Sequence, residues 1–66
     1  MAAGRGQRQL IDLPCMLRHE TQAAYLLDFG ETEPEWIPKS MCQYHREGKN
    51  EIVTMEEWFA KKKGLI

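Results

Sequence analysis

The chain has 66 residues, which is enough for one domain. Its composition, with 42% hydrophobic and 29% charged residues, is typical of a globular protein. Its net charge of −1 argues against a dedicated duplex-DNA-binding protein, which would be clearly basic. No apolar stretch approaches the roughly 20 residues that span a bilayer, so we expect a soluble protein of the cytoplasm that does not bind membranes.

The first nine residues, MAAGRGQRQ, differ from the rest of the chain. They contain two arginines, Arg5 and Arg8, and no large apolar residue after Met1. A segment of this composition has nothing to bury in a core. We therefore predict a flexible basic arm over residues 1–9 and a single small domain over residues 10–66.

The first two predicted strands form a β-hairpin. Over residues 10–19 (LIDLPCMLRH) apolar and polar side chains largely alternate, which is typical of a strand with one buried face. Pro14 lacks an amide hydrogen, so it predicts an edge strand or a bulge at that point. A turn at Glu20-Thr21 separates this strand from the second, over residues 22–29.

Three shorter strands are predicted after a turn at residues 30–33. Turn-forming residues separate them, with a 3₁₀-like turn directly after Pro38 and a polar, glycine-containing turn further along. The three strands cover residues 35–38, 41–45 and 51–54.

The last segment predicts a short α-helix over residues 55–63. Thr54 and Glu57 have the spacing of a capping box at its start. The lysines at 61–63 lie in the last turn, where the helix dipole favours cations, and Gly64 fits the C′ position that ends a helix.

Five short strands and one terminal helix predict a mainly β fold. We expect a small five-stranded antiparallel barrel or rolled sheet, with an SH3-like arrangement as first choice and an OB-like barrel as second. Trp36 and Trp58 are expected in the core, because each can bury on the order of 200 Å². The alternative is that they form, with Tyr44, a stacking platform for nucleic-acid bases.

Two short motifs resemble a known group of proteins. The segment WIPKS at residues 36–40 and the segment EWFAKKKGL at residues 57–65 occur in this order in the chain. They resemble short, largely uncharacterised phage and prophage proteins that carry a W-I-P-K-S segment and a terminal E-W-[LF]-A-x-x-K-G-L helix. The resemblance covers residues 17–65. It implies an accessory role beside phage genes for DNA metabolism or early functions, and it brings no active site with it.

The candidate zinc ligands are the two cysteines and two histidines of the chain, namely Cys15, His19, Cys42 and His45. Zinc favours four nitrogen and sulfur ligands. On a strand, however, Cys15 and His19 would lie about 13 Å apart at ~3.3 Å per residue. We therefore predict no metal and no cofactor, and leave open whether the four side chains converge.

No catalytic signature is present in the sequence. There is no phosphate-binding glycine loop and no nucleophile or metalloprotease motif, and a domain of this size offers little room for a water-excluding cleft. We predict that the protein is not an enzyme.

The predicted function is that of a small phage- or prophage-derived interaction module that binds a protein partner. In one version it inhibits a host defence or nucleic-acid-processing complex. An acidic tip at the second turn would steer it to a basic partner surface. The residues of this tip are Asp28, Glu31, Glu33 and Glu35.

Two alternatives stay open. The first is direct binding of single-stranded or structured nucleic acid as an accessory protein of phage DNA metabolism. The second is a structural, homo-oligomeric assembly part, and the chain is expected to be a monomer or a homodimer. The basic residues that would serve the first alternative are Arg5, Arg8, Lys39, Arg46, Lys49, Lys61, Lys62 and Lys63.

Overall fold

A computed structural model describes residues 9–66, which form six β-strands, one 3₁₀ turn and one α-helix. The prediction of a mainly β fold with a short C-terminal helix is confirmed. The elements are β1 (Leu10–Pro14), β2 (Met16–Glu20), β3 (Ala24–Asp28), β4 (Glu35–Pro38), the 3₁₀ turn (Lys39–Met41), β5 (Cys42–Glu47), β6 (Asn50–Glu56) and α1 (Glu57–Lys62).

The strands are arranged in two three-stranded antiparallel sheets. The first sheet has the order β1-β6-β5 and the second the order β2-β3-β4. Within residues 9–66 the sheets do not close into a barrel, so the predicted five-stranded barrel is not confirmed. The strand count differs because the predicted first strand divides at Cys15. Residues before Cys15 pair with β6, and residues after it pair with β3.

One hydrophobic core joins both sheets and the helix. Side chains alternate between the two faces of each strand, and apolar residues on the inward faces of β3, β4 and β6 contribute to the core. Ten further side chains, half-buried, pack against this core. Its buried members are Leu27, Ile37, Val53, Met55, Phe59 and Ala60.

A β-bulge at Arg18 changes which side chains of β2 point inward. Leu17 pairs with Leu27, whereas His19 pairs with Leu26, so Arg18 is the extra residue. The insertion reverses the alternation beyond it. His19 therefore lies on the outer face, and not with Leu17 as strict alternation predicted.

The hairpin between β5 and β6 is longer than the sequence indicated. Glu47 pairs with Asn50, so only Gly48 and Lys49 form the turn. Gly48 has a φ of +62°, as the first central residue of a type II′ turn requires. The polar residues that predicted a loop are instead paired across the hairpin.

The capping box predicted at the start of the helix is wrong. Thr54 lies within β6, and its hydroxyl donates a hydrogen bond to Asp12 Oδ1 at 2.6 Å across the β1–β6 pair. Glu56 is the N-cap residue, and no side-chain hydrogen bond caps the helix there. Pairing with β1 thus extends β6 to Glu56 and delays the helix to Glu57.

The C-terminal end of the helix follows the prediction. Gly64 has a φ of +78°, in the left-handed region that glycine adopts without strain after a helix. The helix has six residues. Within residues 9–66 no helix is long and apolar enough to cross a membrane.

Candidate functional site

A polar junction centred on Glu51 joins the two sheets. Its Oε1 accepts hydrogen bonds from the Leu17 backbone N–H at 2.8 Å and from the Tyr44 hydroxyl at 2.7 Å. Its backbone carbonyl accepts a third from the Cys15 N–H at 3.1 Å. The bond from Leu17, followed by that from Tyr44, lowers the pKa of Glu51, because both favour the charged carboxylate. The role of this carboxylate is to hold β6 to β2.

Two tyrosines and a lysine continue this junction. The Tyr44 ring packs against Tyr25 of the second sheet, with ring centroids 5.2 Å apart. Lys39 Nζ lies 5.0 Å from the Tyr25 ring centroid and 2.6 Å from Glu20 Oε2. The hydrogen bond to Glu20 raises the pKa of Lys39. Tyr44 is half-buried, and its ring and hydroxyl are engaged by Tyr25 and Glu51. It is therefore not an open stacking platform for bases.

The four candidate zinc ligands do not come together as one site. Cys15 and Cys42 are half-buried free thiols that pack against the core. His19 is exposed on the second sheet and His45 is exposed on β5 of the first. Among residues 9–66, no three histidine, cysteine, aspartate or glutamate side chains are grouped so that they could hold a metal ion.

Both thiols are expected to react slowly with a disulfide reagent while the protein is folded. Burial, with a smaller contribution from the charge of Glu51, raises the pKa of Cys15 to about 11, and burial raises that of Cys42. Relative to the ordinary value of 9.0, Cys15 then has about 100-fold less thiolate. The rate of reaction is measured at pH 8 from the absorbance of the thiolate that the reagent releases. Each cysteine is expected to give one kinetic phase, and a Cys15→Ser variant shows which phase belongs to which thiol. Reaction in the folded protein as fast as in denaturant would contradict the prediction.

Two of the predicted acidic-tip residues have basic partners nearby, close for Asp28 and loose for Glu35. Asp28 Oδ2 accepts a hydrogen bond from Arg18 Nη2 at 2.9 Å, and its Oδ1 accepts one from the Gly30 N–H at 2.8 Å. The Gly30 bond, followed by the Arg18 bond, lowers the pKa of Asp28. Glu35 is half-buried, with Oε1 4.0 Å from Lys63 Nζ.

The other two residues of the acidic tip remain available. Glu31 and Glu33 are exposed in the loop between β3 and β4. Neither makes an ion pair with another residue of the described chain. The available negative charge of the acidic tip therefore lies in this loop, which we call the acidic loop (residues 29–34).

Trp36 is exposed at the surface, so its predicted place in the core is wrong. The side chain is 45% exposed, whereas the next residue, Ile37, is fully buried. Because neighbouring residues of a strand point to opposite faces, burial of Ile37 turns Trp36 outward. The His19 ring meets Trp36 edge to face, with centroids 6.0 Å apart and planes at 89°.

Trp36 belongs to an apolar surface on the second sheet. Leu26 is its partner across the β3–β4 pair, and Met16 on β2 is 50% exposed on the same face. Pro38 lies two residues from Trp36 and is also exposed. We call this surface the outer face. It consists of Met16, His19, Leu26, Trp36 and Pro38.

Trp58 is also outside the core, contrary to prediction, with half of its surface exposed. Phe59 and Ala60 occupy the buried side of α1. The Trp58 ring packs against Phe59 with centroids 5.7 Å apart and planes at 82°, and its Nε1 donates a hydrogen bond to Glu56 Oε1 at 2.6 Å.

Those predicted basic residues that the structure describes do not form one surface. Lys39 is engaged with Glu20, and those of the β5–β6 hairpin and of α1 lie at opposite ends of β6. Arg5 and Arg8 fall outside the described residues. The others lie in three places, namely the 3₁₀ turn (Lys39), the β5–β6 hairpin (Arg46 and Lys49) and the end of α1 (Lys61, Lys62 and Lys63).

Sequence reasoning missed the outer face and the Glu51 junction. The outer face had a signal, because Trp36 and Pro38 flank Ile37 and only one of the two faces could be buried. Glu51 had none. Its hydrogen bond to Leu17 joins residues 34 positions apart, which no local pattern records.

Comparison with known proteins adds no relative. No family model matches the chain, and searches of curated proteins and of solved structures found no significant match. The basis for proposing a function is therefore the chain's own surface, namely the outer face, the acidic loop and the exposed side of α1.

Proposed function

We propose that this chain is a non-catalytic interaction module of phage or prophage origin that binds a protein partner through its outer face. The observation that carries the proposal is the exposed Trp36, which is paired with Leu26 across β3–β4 and shares the outer face with Met16 and Pro38. Adjoining exposed apolar side chains on a small domain are typical of an interaction site. Tryptophan is among the residues most enriched at the energetic centre of protein interfaces.

The acidic loop adds a charge requirement on the partner. The loop leads directly into β4, whose second residue is Trp36, so it adjoins one end of the sheet that carries the outer face. A fitting partner presents an apolar pocket with arginine or lysine at its rim. Surfaces that hold nucleic-acid phosphates have this chemistry. We therefore propose a host defence nuclease or nucleic-acid-processing complex as the partner, inhibited by occupation of its phosphate sites.

The proposal includes an SH3-like relation between the two sheets. In compact β folds, corners are made by strands that bend from one sheet into the next. The passage from β1 to β2 at Cys15 has this form, since one residue separates strands of different sheets. This geometry leaves the outer face of the second sheet free for a partner.

Affinity capture from a nuclease-treated host lysate tests the proposal. The immobilised wild type, Trp36→Ala and Trp58→Ala chains are compared, with bound proteins quantified by mass spectrometry. We expect the same partner on the wild type and on Trp58→Ala, and its loss on Trp36→Ala, because truncating a central interface tryptophan weakens binding by about 30-fold or more. Equal retention on both tryptophan variants would contradict the role of the outer face.

A fourth bait, with Glu31→Lys and Glu33→Lys, tests the acidic loop in the same experiment. It is expected to retain less partner than the wild type, with the difference largest at low salt, because salt screens exposed charges. Glu47→Lys, in the β5–β6 hairpin, is the matched control. Equal retention of the partner by the loop variant and this control would overturn the charge requirement.

A further inference from the structure

The helix carries an exposed surface that the proposed function does not use. We propose that Trp58, Lys61 and Lys62 bind single-stranded nucleic acid, with a base stacked on the Trp58 indole and the backbone phosphates held by the two lysines. This surface lies on α1, whereas the outer face belongs to the second sheet. The proposal stands independently of the protein partner.

Trp58 is held in a fixed orientation while half of it remains exposed. The hydrogen bond from Nε1 to Glu56 Oε1 and the edge-to-face contact with Phe59 both restrain the ring. Phe59 is itself buried, so it is a rigid support. A restrained, exposed aromatic ring is what a stacking platform for bases requires, and such platforms accept bases without sequence preference.

The lysines that follow Trp58 lie on the same side of the helix. Residues three and four positions apart are neighbours on a helix surface, so Lys61 and Lys62 are beside the indole. Lys61 is 65% exposed and only loosely paired with Glu57, at 3.9 Å. Lys62 is exposed, and no ion pair with another described residue involves it. Both ammonium groups can therefore reach a phosphate.

The two tryptophans of the chain make a direct test available. Trp36→Phe leaves Trp58 as the sole indole emitter, and Trp58→Phe leaves Trp36. Each variant is titrated at low salt with oligothymidylate of about 15 nucleotides, a length within the usual site size of small β domains. We expect quenching of Trp58 emission and unchanged Trp36 emission. Equal quenching of both, or quenching of Trp36 alone, would overturn the assignment to α1.

An abasic oligonucleotide of the same length separates stacking from charge. It has the same phosphates without bases, so we expect weaker binding and little quenching of Trp58. In anisotropy titrations with labelled oligothymidylate, Trp58→Ala should lose about tenfold in affinity, while Trp36→Ala keeps wild-type affinity. Equal affinity for the abasic chain, or no binding of oligothymidylate at low salt, would refute the proposal. Circular dichroism of each variant verifies that it is folded.

Discussion

Leu27→Ala is expected to leave most of the chain unfolded at room temperature. Leu27 has no exposed surface and lies in β3, the central strand of the second sheet. Truncation of a buried leucine to alanine costs about 2–5 kcal/mol, because the lost apolar contacts are accompanied by a cavity. A single core in a chain this short rarely supplies more than about 3–5 kcal/mol of net stability. The loss is therefore comparable with the whole free energy of unfolding.

Leu26→Ala is the matched control. Leu26 is the same residue type on the same strand, one position away, and it points to the outer face. We expect it to retain a cooperative urea transition, followed by far-UV circular dichroism, close to that of the wild type. A transition for Leu27→Ala within about 1 kcal/mol of wild type would show that the second sheet does not depend on this core.

Acidification is expected to weaken the junction between the sheets through Glu51. In the folded chain, the hydrogen bonds from Leu17 and Tyr44 hold the pKa of Glu51 below its ordinary value of 4.5. A lowered pKa means that Glu51 contributes stability above pH 4.5, and that this contribution is lost as the pH falls through the folded value. Asp28 has the same sign, with a pKa below its ordinary 3.8.

Glu51→Gln isolates this contribution. At pH 7 we expect it to melt several degrees below the wild type, because a neutral amide accepts the Leu17 and Tyr44 hydrogen bonds less strongly than a carboxylate. Below pH 4.5 the difference should shrink progressively, because the stability contributed by the charged carboxylate is lost as the pH falls through its lowered folded pKa. Thermal unfolding at a series of pH values measures both. The control, Glu33→Gln in the acidic loop, should melt with the wild type at pH 7. A difference for Glu51→Gln that is independent of pH would contradict the assignment.

Local patterns were sufficient for the elements whose partners are near in sequence. The strand Glu35–Pro38 and the 3₁₀ turn after it were predicted at the right positions. Each depends on alternation or on proline, which act over a few residues. Of the two alternatives predicted at Pro14, an edge strand or a bulge, the edge strand is confirmed.

Features that depend on distant pairing could not be predicted. The division of the first strand at Cys15 follows from pairing of β1 with β6 and of β2 with β3. The same β1–β6 pairing keeps Thr54 in a strand, although its sequence context fits a helix cap. Tertiary contacts overrode local propensity at both positions.

The candidate sites were predicted only in part. Glu31 and Glu33 are exposed as expected, whereas Asp28 and Glu35 have basic partners on β2 and after α1, which sequence position alone did not reveal. The tryptophans were assigned to the core because of their size. In a chain this small, the aliphatic residues Leu27, Ile37 and Val53 fill the interior, and the indoles remain outside.

The position of β6 at the centre of the first sheet determines how the chain can assemble. Its partner β5 is joined to it by a two-residue turn, so this hairpin can form on its own within microseconds. Its other partner, β1, pairs residues 38 to 46 positions apart, from Pro14↔Ile52 to Leu10↔Glu56. Closing so long a loop is entropically costly and is favoured only once a template exists. During synthesis β1 is therefore made before the other described strands, and it can pair in the first sheet only after β6, the last of them, has been made.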